Sequence, residues 1–146
     1  MSREVRFEIM EFIKRKEKIR LNRISNFYAL QTFESYLREY NLSDKEIENH
    51  LSNIDLFIND YLLRYEVIAF HNGIHTVGEY LTEWLTENFY GVNKKDIEIY
   101  IESFIKFYTH NVNGGYLEKD DMIELYQIIN DEVRPWLANF TEKKGM

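Results

Sequence analysis

Residues 42–58 and 92–108 are nearly one segment written twice, fifty positions apart. Lys45/Lys95, Ile47/Ile97, Glu48/Glu98 and Phe57/Phe107 are identical across the two copies. Leu51/Ile101 and Ile54/Phe104 keep the apolar positions, and Tyr40 precedes the first copy as Tyr90 precedes the second. Each copy is a polar cap followed by apolar residues at three- and four-residue steps, which is the pattern of an amphipathic helix. A chain that repeats such a unit is expected to build two helical hairpins in tandem.

Helical periodicity extends over almost the whole sequence, and one proline and six glycines leave few places to break it. A leader helix over about 3–19 carries Val5, Ile9, Phe12 and Ile13 on one stripe, and a second helix over about 26–40 carries Phe27, Leu30, Phe33 and Leu37. Ser43 with Glu46 forms a capping box for a third helix, since each side chain satisfies a backbone amide of the other. Thr76 with Glu79 offers another, and Asn93 caps the helix of the second copy. A last helix over about 118–139 contains Pro135, whose ring displaces the preceding turn, so a kink or restart is expected near residues 130–134. The expected architecture is an all-α single domain of five to six helices. The expected divisions are a basic amphipathic N-terminal helix (1–24), a helical body (25–140) and a frayed tail (141–146). Trp84 and Trp136 fall on apolar stripes and are expected in the core.

Charge divides the chain unevenly. Residues 1–23 hold eight Lys/Arg against four Glu, a net of +4, within a chain of net charge −7, so the remainder carries −11. A basic leader on an acidic body can meet an anionic partner, or it can pack on the acidic body or on a second subunit. Cysteine is absent, which excludes disulfides and thiolate metal sites. His71 and His75 are four apart, but Asn72-Gly73 between them reads as a turn, so no metal or other cofactor is expected. No glycine-rich phosphate loop and no activated nucleophile stands out, and a non-enzymatic protein is expected. No apolar run reaches the length of a membrane span, and the charged N-terminus is unlike a signal peptide. A cytoplasmic protein with no membrane partner is the expectation.

The two capped helices, the ending Phe104-Ile105-Lys106-Phe107-Tyr108 and the Gly115-Tyr116-Leu117 that follows resemble a known family. They are similar to the N-terminal core-binding domain of tyrosine recombinases and phage integrases, a small SAM-like helical fold. The resemblance spans about 26–140. It implies an integrase N-terminal-like bundle that grips duplex DNA. The family's catalytic His-x-x-Arg is not present in the sequence, so strand cleavage is not implied.

Two functions are therefore expected. One is a DNA-associated module that binds duplex weakly and without sequence preference through Lys14, Arg15, Lys18, Arg20, Arg23, Lys94 and Lys95. The other is a protein-interaction or regulatory domain, homodimeric or bound to another protein, with no nucleic-acid role. Phe7, a bulky apolar residue among the leader's cations, is the candidate for a subunit contact.

Overall fold

From Arg3 to Arg38 the backbone is one uninterrupted α-helix of 36 residues, α1, capped by the Ser2 hydroxyl, which accepts from the Val5 amide. The leader and the second expected helix are thus a single rod, and nothing in the helix marks a boundary at residue 24. No glycine or proline precedes Gly73, so the sequence supplies no interruption. In the computed structural model, which describes residues 1–141, four more helices follow. These are α2 (Asp44–Asp55, continued by a π-helical end, Leu56–Tyr61), α3 (residues 77–88), α4 (Lys94–Asn113) and α5 (residues 119–138). Among the described residues there is no strand, and the chain is a single all-α domain. The expected frayed tail lies, beyond Thr141, outside the described residues.

The repeat sets the frame. α1 and α2 are joined by residues 39–43, and α3 and α4 by residues 89–93, so both connections are five residues long and keep the fifty-residue offset. Both second helices open on full capping boxes, Ser43 with Glu46 and Asn93 with Asp96. Gly91 supplies the left-handed turn, φ 76°, before the second box. α2 and α4 then pack on each other. His50 Nδ1 lies 2.7 Å from the Ser103 hydroxyl, which also accepts from Asn53 at 3.1 Å and donates to the Ile99 carbonyl. His50 is buried.

Aromatic rings fill the centre. Phe57 on α2 meets Phe104 on α4 edge-on at 4.8 Å and Tyr80 on α3 at 5.0 Å, and Phe33 on α1 meets Phe107 at 5.2 Å. Such pairs add to the large apolar area these side chains bury. Trp84 and Trp136 are only half-buried. Trp84 caps this cluster from outside, 5.4 Å from both Tyr61 and Tyr80, and Trp136 lies against Phe140. α3 reaches α5 at Gly78, where an added Cβ would stand 2.9 Å from Glu132 Oε1 and 3.3 Å from Ile128 Cγ2.

Three π turns punctuate the helices, at Leu56–Tyr61, Tyr80–Trp84 and Ile129–Val133. The last lies directly before Pro135, where the missing amide was expected to force a restart. The expected Thr76–Glu79 box is absent: the Thr76 hydroxyl turns back to the Gly73 carbonyl and closes a 3-10 turn instead.

At the end of α2 the Leu62 amide bonds the Phe57 carbonyl, five residues back, so the Ile58 carbonyl loses its regular partner. The Asn26 side chain of α1 fills that place, donating to the Ile58 carbonyl at 3.1 Å and to Asn59 Oδ1 at 2.9 Å. Asn26 is buried, so its removal leaves a buried carbonyl without a donor. Asn26→Ala is expected to lower unfolding free energy by about 1–3 kcal/mol in urea denaturation. Phe57→Ala is expected to cost about 3–5 kcal/mol, and Asn26→Ala within error of wild type would remove the role given to that residue.

Candidate interaction surface on the first helix

Only the second half of α1 is embedded. Asn26, Ala29, Phe33 and Leu37 are buried, whereas every residue from Met1 to Lys18 is exposed. At roughly 100° per residue, the buried set points one way and Val5, Ile9, Phe12, Ile13, Ile24 and Phe27 centre roughly 115° away from it, spread from about 55° at Phe12 to about 175° at Ile24. Extending the body-facing direction into the leader reaches Glu4, Glu8, Arg15 and Asn22 rather than the apolar stripe. The leader's apolar stripe therefore faces away from the body. The six side chains are between 42% and 59% exposed. With roughly 150–200 Å² on each when fully open, they leave apolar surface on the order of 450–600 Å² along this face, divided by Lys16, Arg20 and Arg23 into a leader patch and an Ile24–Phe27 patch.

The strip runs into an open groove of about 480 Å³ between α1 and α2. Phe27, Leu30 and Leu51 form its apolar walls, with Arg23, Glu34 and Asp55 on its rim. The strip and the groove are continuous because Phe27 belongs to both.

The candidate phosphate contacts have varied surroundings. Arg15 reaches back to the body, where its guanidinium donates to the carbonyls of Tyr65, Leu63 (3.4 Å) and Arg64 (3.2 Å). Those carbonyls lie in the turn just past the end of α2, where a cation is also near the negative end of the helix dipole. Arg15 is an anchor for α1. Lys14 pairs with Glu11 at 3.5 Å, and Arg20 pairs with Glu17, whose carboxyl is held below its ordinary range by the Arg20 hydrogen bond. Lys16 lies over the Phe12 ring at 4.9 Å. Lys18 and Arg23 have no ion pair among the described residues. Lys94 and Lys95 are exposed beside Phe140, at the start of α4. α1 meets α4 later, at Tyr40 with Lys106 and Thr32 with His110, and the leader continues in the opposite sense. The lysine pair and the leader therefore sit at opposite ends of the molecule. Phe7 is 63% exposed and lies with Lys14 and Lys18, off the apolar strip.

Composition alone did not point to Ile24, Phe27 and the groove. The signal was in the sequence: the phase of Val5, Ile9, Phe12 and Ile13 disagrees with that of Ala29, Phe33 and Leu37 once the helix is taken as unbroken. Among the described residues no group of His, Cys, Asp and Glu is arranged to hold a metal ion, and His71 and His75 are both exposed on separate 3-10 turns. No helix among them is long and apolar enough to cross a membrane.

Two outcomes are expected. Arg15→Ala is expected to lower stability by about 1 kcal/mol, while Lys18→Ala leaves it within about 0.5 kcal/mol; equal effects in thermal denaturation would remove the anchor. Burial lowers the pKa of His50, with Lys106 adding to the effect against Glu102 and Glu46, and burial likewise lowers that of His110. The folded state thus favours neutral imidazoles, and the unfolded chain binds more protons near its ordinary value of 6.5. Stability is then complete above that pH and falls as pH drops from 7 towards 5; a flat profile of urea midpoints over that window would contradict the burial of His50.

No family model, curated protein or solved structure matches this chain.

Proposed function

We propose that this chain is a non-enzymatic helical interaction module that takes a protein partner on the outward face of α1. The observation that supports this reading is an unbroken helix carrying large apolar side chains away from its own body. Helix stability in water comes mainly from packing an apolar face rather than from propensity. A leader rich in Ile, Phe and Val with nothing upon it is suited to receive another helix or groove. The cations around it, Arg3, Arg6 and Lys16, form the polar rim that such interfaces carry.

A DNA-associated module, similar in shape to a recombinase core-binding domain, is the second reading. What favours it is that Arg3, Arg6, Lys16, Lys18 and Arg23 have no ion pair among the described residues. Against it stand the acidic body and the outward apolar strip, since contacts to phosphates use charge and leave apolar surface unspent.

A photo-reactive residue at Phe12, with one at Glu8 as control, separates the two in the cells that make the protein. The expected result is a protein adduct at position 12 that is lost on Ile9→Glu. Fluorescence anisotropy with a short duplex is expected to show no complex at about 150 mM salt, because so few cations release counterions. No adduct at position 12, together with a salt-resistant complex abolished by Lys16→Glu, Lys18→Glu and Arg23→Glu, would give the function to DNA.

A further inference from the structure

We infer that the occupant of this face is a second copy of the chain, packed antiparallel so that each leader lies along the partner's α1–α2 groove. The inference rests on the interaction reading and names its partner.

The strip is self-complementary. A two-fold axis demands that a surface match itself in reverse, so that residue i meets j and j meets i. Ile9 and Phe27 lie equally far on either side of residue 18, as do Phe12 and Ile24, and all four belong to the outward face. Two α1 helices crossed antiparallel at residue 18 therefore set Ile9 against the partner's Phe27 and Phe12 against the partner's Ile24. Apolar meets apolar at both ends, and the leader's first turns reach the groove walled by the partner's Leu30 and Leu51.

Charge favours the same direction. The leader carries a net +4, and the groove rim holds Glu34 and Asp55 beside Arg23, with Glu34 also paired to Arg38 of its own helix. The register that pairs Ile9 with the partner's Phe27 brings Arg3 and Arg6 within about a turn of the partner's Glu34. At the centre the register sets Lys16 opposite the partner's Arg20, each held on its own helix, Lys16 over Phe12 and Arg20 by Glu17. A parallel pair would instead stack the two basic leaders and leave both grooves empty. The strip of roughly 450–600 Å² on each copy gives a total near the roughly 1,000 Å² that a biological interface has to clear.

Light scattering at about 100 µM, a hundredfold above a Kd of ~1 µM, is expected to give twice 17.8 kDa. Ile9→Glu with Phe12→Glu is expected to give the monomer mass with the helical circular dichroism unchanged, since both positions are exposed. Because the chain has no cysteine, Ile9→Cys mixed with Phe27→Cys reports direction. Oxidation is expected to link the mixed pair at least about tenfold better than either variant with itself. Efficient self-linking of Ile9→Cys, or a wild-type monomer at that concentration, overturns the antiparallel pair. If a monomer still gives the position-12 adduct with a different protein, the self-pair falls and the interaction reading stands. A monomer with no adduct removes both.

Discussion

The continuity of α1 is the constraint on which the rest depends. With neither glycine nor proline before Gly73, the first 36 helical residues form a rod of about 54 Å, longer than the body can cover. Beside its core face, the rod meets the end of α2 at two places. Asn26 supplies the donor that the Ile58 carbonyl lacks, and Arg15 gathers the carbonyls of residues 63–65. Both actions close the same end of α2, whose π turn leaves more unsatisfied carbonyls than a regular helix end would. The price of that ending is met from α1, and this fixes the angle at which the leader departs.

The interior follows from a different rule. Phe57 and Phe107 hold the same place in the two copies, and each sits at a junction of rings. The two copies are not interchangeable, however. α2 ends in a π turn while α4 runs regularly to Asn113, and α1 is three times the length of α3. The repeat accounts for the caps, the equal connections and the α2–α4 packing, and the unequal partners on either side break its symmetry.

Much of this was legible in the residues. The capping boxes at Ser43 and Asn93, the restart before Pro135 and the all-α class each rest on local chemistry, which a single segment contains. Three features were not legible for the opposite reason. The burial of His50 depends on Ser103, which lies on another helix. The half-exposure of both tryptophans depends on which rings cover them, and Thr76 chose the Gly73 carbonyl over a helix amide. In the candidate site, the basic residues were evident and their surroundings were not: Arg15 is spent on α2, and Lys94 and Lys95 stand at the far end from the leader. The apolar strip required only one added premise, that residues 20–25 continue the helix.

A rod embedded over one half and bare over the other cannot have uniform stability along its length. Opening the segment around Phe33 and Leu37 requires the core to come apart, so its amides exchange with solvent only through global unfolding. Before Arg15, by contrast, the backbone has no tertiary contact to lose, and the turns from Arg3 to Lys14 can fray and re-form on the fast timescale of a helix end. One covalently continuous helix thus contains a slow half and a fast half, divided at the Arg15 anchor. Whatever settles on Ile9 and Phe12 does more than bury them: it converts the fast half into the slow one, and the ordering it imposes is subtracted from the affinity it gains.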